Sequence, residues 1–337
     1  MRTHRVAVLG AGPAAQAIHL PALASLGSAV RVTEVMDVDH SLAGQVAGLH
    51  GARVSHDLDG LLAGDGFEIA VIGTPDRFHA DQVEALCSAG VRAILVEKPL
   101  ATTAAEIERV RAAVTASSTA VVVGAMHTYD PAWLEARAAF TPVGRCHARS
   151  VIYIPANAHF EDMATTMIRP DPRAGADADA AQRIRGGILG LAIHNLPLVR
   201  RFLPELDTVG FAATLDPWGY TVTASGPGGT LELLARTGGT WRPDWTLTVW
   251  DDQSELQLAF PPSYVAAGSA TATLRDRCGT RDFGPHPQNG YAAEWRELLR
   301  ILDGKEPAYD LGRVVTDLEY AMALADLTVA ALEASAA

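Results

Sequence analysis

The first 124 residues alternate short apolar runs with amphipathic segments. Continuous apolar runs are typical of parallel strands that are covered on both faces, and the segments between them have the apolar spacing of helices. The runs are RVAVLG, RVTEVMD, EIAVIGT, RAILVE and TAVVVGA, and the helical segments are residues 13–26, 40–50, 76–89 and 103–116. Because strand and helix alternate, we predict an α/β domain over residues 1–124, built on a doubly wound parallel sheet.

From about residue 144 the strands alternate polar and apolar positions. That pattern is typical of an antiparallel sheet with one packed face and one open face. We therefore predict a second, α+β domain over residues 125–337 with an open, mostly antiparallel sheet, whose last helix packs back on the first domain. The strands are CHARSVIYI, TVTASG, GTLELLAR, WTLTVWD and SELQLAF, and the helices are residues 187–203, 290–302 and 311–334. Residues 169–185 are polar and aperiodic, which indicates a flexible loop or lid.

Composition limits the partners that this chain can have. It has 337 residues, a net charge of -12 and a pI near 5.3, so nucleic acid and anionic membrane surfaces would repel it. A small-molecule partner is the better expectation. Three widely spaced cysteines and the lack of a secretory signal or of about 18 consecutive apolar residues favour a cytoplasmic protein.

A glycine-containing turn follows the first predicted strand, in the sequence VLGAGPAAQAIHL. Gly10 and Gly12 let the backbone turn tightly and approach a pyrophosphate at the start of the next helix. Asp37 ends the second strand, where a carboxylate can accept both ribose hydroxyls of adenosine and would repel a 2'-phosphate. Neither Val38 nor Asp39 supplies a positive charge, so we predict NAD as cofactor and NADP as the less favoured one.

Lys98 is one of only two lysines and follows the fourth apolar run, in VEKPLA. The other, Lys305, lies in DGKEP, which is typical of an exposed turn. Lysine, unlike arginine, is a compact donor whose pKa burial can tune. Thr74 and Pro75 also follow a strand, and ligands bind at the carboxyl ends of parallel strands.

The motifs GAGPAA, GTPDRFHA, VEKPLA, YDPAW and GGILGLAIHNLP together resemble the glucose-fructose oxidoreductase / inositol dehydrogenase / MocA (Gfo/Idh/MocA) family. The resemblance covers nearly the whole chain and is strongest over residues 5–131. It implies an N-terminal Rossmann domain and an NAD(P)-dependent oxidoreductase that acts on a sugar, cyclitol or related polyol. It also implies a homodimer or homotetramer.

Carried over residue by residue, the resemblance assigns catalysis to Lys98 and His194. Lys98 would bind the oxygen that is or becomes a carbonyl, where an ammonium stabilises developing charge. His194 would exchange the hydroxyl proton. The implied cofactor residues are Gly10, Gly12, Pro13, Ala14, Asp37, Thr74, Pro75, His79, Glu97 and Lys98. The implied substrate residues are Lys98, His127, Tyr153, His159, His194 and Asn195.

This chain departs from the family pattern beside His194. The family carries a carboxylate four residues before the histidine and another three after it, but Gly190 and Pro197 stand at these positions here. Without an acidic neighbour nothing at the site favours the imidazolium, so we expect a weaker base.

Two alternatives to net dehydrogenation remain open. A sensor or repressor of the same architecture would bind the dinucleotide without turnover, and a transient-redox enzyme, such as an epimerase or glycoside-cleaving enzyme, would oxidise and re-reduce its substrate. The histidines show no metal-like spacing with acidic or thiol partners, so we predict no metal.

Overall fold

The computed structural model describes residues 3–64, 66–154, 179–237, 244–262, 264–265 and 267–336. Within these residues the chain forms two sheets, one of six strands and one of eight. The helices pack on both faces of the first sheet and on one face of the second. The predicted combination of an α/β and an α+β part is therefore confirmed.

The six-stranded sheet is entirely parallel and has the order β3-β2-β1-β4-β5-β6. Its central strands are buried along their whole length because helices cover both faces, as the apolar runs predicted. The strands are β1 His4–Leu9, β2 Val30–Met36, β3 Arg53–Ser55, β4 Ile69–Ile72, β5 Ala93–Glu97 and β6 Ala120–Gly124. Strand order reverses between β1 and β4, which opens a crevice at the carboxyl edge.

Several helices begin where a side chain satisfies their free amide groups. Asp39 caps the second helix, Thr103 and Glu106 form a capping box on the fifth, and Asp130 caps the seventh. Residues 13–25 form one helical stretch with a π-helical middle, Ala15–His19. The α-helices are α1 Leu20–Ser25, α2 His40–His50, α3 Leu58–Leu62, α4 His79–Ser88, α5 Ala104–Ser117, α6 Met126–Tyr129, α7 Pro131–Ala139, α8 Ala180–Gly190, α9 Leu196–Arg200, α10 Gly290–Leu302 and α11 Leu311–Ala336.

The eight-stranded sheet has the order β14-β13-β12-β11-β7-β10-β9-β8, and only its β7–β10 pair is parallel. Alternate residues of β11 are buried, as the alternating sequence predicted. The strands are β7 Cys146–Ile154, β8 Thr208–Thr214, β9 Trp218–Gly226, β10 Gly229–Thr237, β11 Asp244–Trp250, β12 Glu255–Ala259, β13 Thr271–Asp276 and β14 Gly279–Phe283.

The predicted helix over residues 187–203 is wrong in its extent. The chain is already helical from Ala180, under a capping box of Asp179 and Gln182, and the helix is interrupted between Gly190 and Leu196. The end of the predicted loop at residues 169–185 is therefore helical, while residues 169–178 lie outside the described part of the chain.

The last two helices connect the two sheets. α10 packs on β5, β6, α1 and α6, and α11 contacts α5 and β6 as well as α8, α9 and β8. The open face of the second sheet carries ion pairs, Arg149 with Glu232 and Arg275 with Glu255, so it is polar and not an apolar surface. The oligomeric state stays a prediction. No helix of the described residues is long and apolar enough to cross a membrane.

Candidate active site

A cavity of about 220 Å³ lies between the carboxyl edge of the parallel sheet and the second domain. Its walls come from the ends of β4, β5 and β6, from the end of α8, and from β11 and α10. The residues that line it are Ala14, Ile18, Gly73, Thr74, Asp76, His79, Glu97, Lys98, Gly124, Met126, Gly190, Leu191, His194, Trp245, Tyr264 and Tyr291. The two predicted catalytic residues, distant in sequence, therefore share one cavity.

Lys98 reaches across the domain boundary. It follows β5, and its Nζ donates a hydrogen bond of 3.0 Å to the backbone oxygen of Gly190 at the end of α8. Enclosure lowers the pKa of the Lys98 ammonium, and the charges of Glu97 and Asp76 only partly offset this effect. Lys305, in contrast, is exposed, as the sequence predicted.

Glu97 is fixed by a chain of hydrogen bonds that leads away from the cavity. Its Oε1 lies 3.0 Å from His19 Nε2, and the indole of Trp295 donates to His19 Nδ1 at 3.3 Å. This pattern places the imidazole proton on Nε2, since Nδ1 must accept. Burial raises the pKa of Glu97, but the hydrogen bond from His19 and the charge of Lys98 outweigh burial and leave that pKa lowered. Glu97 thus remains an anion beside Lys98.

His194 is buried and neutral. Burial lowers its pKa well below the usual value, and the nearby charge of Lys98 lowers it further. Its Nδ1 is buried without a hydrogen-bond partner among the described residues. A neutral imidazole with a free nitrogen in this cavity can accept a proton or a hydrogen bond from a ligand hydroxyl.

His127 stands behind His194. Its ring stacks on Phe260 at 3.7 Å and its Nδ1 bonds to Asn195 Oδ1 at 2.9 Å. Burial lowers the pKa of His127 to about 3, so the ring is neutral. The amide of Asn195 also donates to Ser150 Oγ and is fully buried, which corrects the expectation that Asn195 contacts substrate: it positions His127.

The first turn has the shape that a dinucleotide requires. Gly10 has φ +88°, and a Cβ there would lie 2.7 Å from the Gly73 backbone, so only glycine fits. A Cβ on Gly12 would meet nothing within 4 Å, which leaves open space above the turn where a pyrophosphate can approach. Asp37 accepts from Ala11 N at 2.7 Å, so its carboxylate is held beside this turn. These residues fit a dinucleotide.

The remaining cofactor candidates differ in how open they are to a ligand. Ala14 and Thr74 line the cavity, while Pro13 is half-buried and Pro75 is exposed. His79 is 1% exposed, and its two ring nitrogens face the backbone oxygens of Thr74 and Pro99 at 2.8 and 2.7 Å. His79 therefore ties the end of β4 to the end of β5 and offers a ligand no free nitrogen.

Tyr153 and His159 are the other two residues that were predicted to contact the substrate. Tyr153 is on the opposite face of β7 from Ser150, because successive strand residues alternate, and it does not reach the cavity. His159, with Asn157, lies outside the described residues.

Three aromatic residues of the cavity wall were not predicted as ligand contacts. They are Trp245, Tyr264 and Tyr291. The ring centre of Trp245 lies 5.2 Å from those of both His127 and His194. Its indole nitrogen is buried and has no hydrogen-bond partner among the residues that the structure describes. An alternating strand pattern identifies Trp245 as inward-facing, but it does not show that the second domain's inner face meets the cofactor edge.

The two positions where the family has carboxylates behave differently. Gly190 lines the cavity, and its backbone oxygen takes the bond of Lys98. Pro197 lines two neighbouring cavities instead. The loss of an acid at Gly190 therefore affects Lys98 and His194 directly. Among the described residues no group of three or more histidine, cysteine or acidic side chains could hold a metal ion.

Comparison with known proteins agrees with this geometry. Residues 4–125 match the oxidoreductase family with an NAD-binding Rossmann fold. Inositol 2-dehydrogenase 2 of Saccharopolyspora erythraea is 36% identical over 135 residues, which cover 40% of this chain and 39% of the relative. An inositol 2-dehydrogenase of Rubrobacter xylanophilus is 39% identical over 102 residues, 30% of this chain and 29% of the relative. The matched parts thus span well under half of these relatives.

Solved structures match over nearly the whole chain. A 3-ketoreductase from Actinomadura kijaniata, in complex with TDP-benzene and NADP, has a TM-score of 0.73 and 18% identity, over 97% of this chain and 96% of that one. A UDP-N-acetylglucosamine 3-dehydrogenase from Acidithiobacillus ferrooxidans has a TM-score of 0.73 and 21% identity, over 98% and 99%. At these identities the likeness shows the two-domain fold alone.

Proposed function

We propose that the protein is an NAD(P)-dependent dehydrogenase or reductase, because residues 4–125 match the model of the Gfo/Idh/MocA oxidoreductase family with its NAD-binding Rossmann fold. Its substrate carries the reacting hydroxyl or keto group on a sugar, cyclitol or related polyol. Relatives named as inositol dehydrogenases and fold neighbours named as acting on sugars support this substrate class. Bound nicotinamide would supply the hydride acceptor or donor.

Lys98 provides the positive charge in this proposal. When hydride leaves a carbinol carbon, the attached oxygen loses its proton and charge develops on it, so an ammonium within hydrogen-bond distance stabilises the transition state. Lys98 Nζ now donates to Gly190 O at 3.0 Å, and a ligand oxygen in the cavity would replace that acceptor. Glu97 remains anionic beside it and favours the charged lysine.

His194 is the proposed proton acceptor in oxidation and donor in reduction. Its unpartnered Nδ1 is free to receive the hydroxyl proton. Its lowered pKa makes it a weak base, and general acid–base catalysis supplies about 10²- to 10⁴-fold, so part of that gain is lost here.

We favour NAD over NADP as the cofactor. Asp37 holds a carboxylate beside the turn, and Val38 next to it is 80% exposed and uncharged. A carboxylate there would accept ribose hydroxyls and repel a 2'-phosphate.

The observation that carries the proposal is the enclosure of Lys98 and a neutral, unpartnered His194 in one cavity beside the glycine turn. The test is absorbance at 340 nm over a panel of cyclitols, free sugars, nucleotide-linked sugars and their ketones, with NAD and NADP each supplied. We expect turnover with at least one pair and a loss of about 10²-fold or more in Lys98→Met. Lys305→Met removes the other lysine from an exposed turn and is the matched control.

Two results would contradict net dehydrogenation. If the protein binds the dinucleotide but gives no turnover, and if Lys98→Met leaves that binding unchanged, the protein is a sensor. A protein that purifies with bound nicotinamide and changes the stereochemistry or linkage of its substrate without net NADH would be a transient-redox enzyme.

A further inference from the structure

A second cavity, of about 250 Å³, lies behind the candidate active site. It is formed by α7, α9 and α11 together with the chain before α11. We define the arginine pocket by the residues that line it, which are Thr128, Trp133, Arg137, Pro197, Leu198, Arg200, Arg201, Tyr309, Arg313 and Asp317. Four of these are arginines and one is acidic, in a chain whose net charge is -12.

Three of the four guanidinium groups have no carboxylate partner. Arg200 pairs with Asp317, but no acidic side chain of the described residues lies within ion-pair distance of Arg137, Arg201 or Arg313. Arg137 stacks on Trp133 with its guanidinium carbon 6.0 Å from the ring centre, and Arg313 stacks on Tyr309 at 5.4 Å. Aromatic rings thus position two of the three charges without neutralising them.

These guanidinium groups are close enough to repel one another. Partial burial lowers the pKa of Arg137, and the charges of Arg201 and Arg313 lower it further. Such a cluster costs free energy in the ligand-free protein, and an anion would relieve that cost.

The pocket also contains polar atoms without a partner. Tyr309 Oη is buried and makes no hydrogen bond to the described residues. Asp317 is 5% exposed, and its Oδ2 is likewise unbonded. Burial raises the pKa of Asp317 to about 6, although Arg200 partly offsets this, so the carboxyl is mostly ionised at neutral pH and its charge is balanced by the ion pair with Arg200. A phenolic hydroxyl can donate to a ligand oxygen.

We propose that the arginine pocket binds a small, multiply charged oxyanion that carries phosphate or carboxylate groups. Guanidinium groups bind such oxygens through two parallel hydrogen bonds. The volume of 250 Å³ has room for roughly eight water molecules at about 30 Å³ each, which suits a diphosphate or tricarboxylate and excludes a whole dinucleotide.

The pocket is distinct from the cofactor turn and lies close to Lys98. A cavity of about 30 Å³ separates the two, and Pro197, Tyr309 and Asp317 line both it and the arginine pocket. Lys98 lines the other side of that small cavity. The arginine pocket and the candidate active-site cavity have no lining residue in common, so an anion bound here would not contact the residues of the reaction site.

The test is isothermal titration calorimetry with pyrophosphate and, separately, citrate, on the protein alone and with saturating NAD. We expect at least one anion to bind under both conditions. In the double variant Arg201→Gln/Arg313→Gln the affinity for that anion should fall by about 10-fold or more, because charge-assisted hydrogen bonds are removed. Both arginines are exposed, so the variant should fold, which thermal unfolding checks. Pyrophosphate alone would identify phosphate as the recognised group, and citrate alone would identify carboxylate.

The matched control is Arg149→Gln/Arg275→Gln, which removes the same charge from the open face of the second sheet. Equal affinities in the two double variants would overturn the proposal, as would binding that NAD abolishes, because the anion would then occupy the cofactor turn. If the wild type binds neither anion, the proposal is wrong. If Arg201→Gln/Arg313→Gln also has a lower mass by light scattering than the wild type, the arginines belong to a subunit contact. Anion affinity is measured without turnover, so this test remains valid even if the proposed dehydrogenase or reductase activity is absent.

Discussion

At the scale of single residues, Gly190 leaves Lys98 and His194 without an acidic side chain on α8. The family that the sequence resembles has a carboxylate at this position, whereas Gly190 offers Lys98 only a backbone oxygen. Burial lowers the pKa of Lys98 and of His194, and no charge at position 190 opposes that effect. A Cβ on Gly190 would meet nothing within 4 Å, so the cavity has room for a side chain.

We expect Gly190→Asp to strengthen the site. A nearby carboxylate favours the charged forms of lysine and histidine, so the pKa of each rises. In the wild type, the ammonium is lost below the ordinary lysine pKa of about 10.4, so activity falls early on the alkaline side. In the variant, that alkaline limb of the kcat profile should move up by about one pH unit or more.

Gly186→Asp is the control for this change. It adds the same charge to an exposed, unobstructed position of α8. If both variants keep the wild-type alkaline limb, a carboxylate at position 190 does not raise the pKa of Lys98.

At the scale of elements, the turn between β1 and the first helix separates a structural glycine from a ligand-facing one. Gly10→Ala should destabilise the fold by about 2 kcal/mol or more, because φ +88° and the contact with the Gly73 backbone both oppose a side chain. Gly12→Ala should keep the wild-type melting temperature and weaken NADH binding by about 10-fold or more, since its methyl group enters the space above the turn.

Thermal unfolding and NADH fluorescence titration measure the two effects. The assignment of the cofactor to this turn is wrong if Gly12→Ala binds NADH as tightly as the wild type while remaining folded.

The elements that the sequence predicted well are those with continuous or periodic apolar positions. The five predicted parallel strands and α10 are present, but β3 was missed because Arg53–Ser55 is too short to show a pattern. β14 was missed because its residues are almost all exposed. The sequence motifs had indicated Lys98 and His194, and both line the cavity. Trp245 lines it because the two domains pack together, and no local sequence pattern predicts that contact.

At the scale of the whole molecule, Glu294 makes stability depend on pH. It is fully buried, and neither carboxylate oxygen has a hydrogen-bond partner in the part of the chain that the structure describes. Burial raises its pKa well above the usual value. The folded state therefore keeps its proton while the unfolded state releases it. Stability from this group is complete below the unfolded pKa and is lost as pH rises above it, by up to about 1.4 kcal/mol per pH unit until the folded pKa is reached.

We expect Glu294→Gln to gain stability relative to wild type as pH rises from 5 to 8, since the amide is neutral in both states. Denaturant unfolding at several pH values measures the difference, with the exposed Glu333→Gln as the control. A difference between Glu294→Gln and wild type that stays constant over this range would show that Glu294 is ionised in the folded protein.

In the ligand-free protein the backbone oxygen of Gly190 accepts the hydrogen bond that Lys98 would otherwise donate to a substrate oxygen. Any molecule that enters must offer the ammonium an oxygen at least as good as a peptide carbonyl, or the lysine stays where it is. The protein therefore selects ligands before any reaction takes place. Apolar analogues of matching shape can fill the cavity, but they leave the hydrogen bond from Lys98 to Gly190 intact.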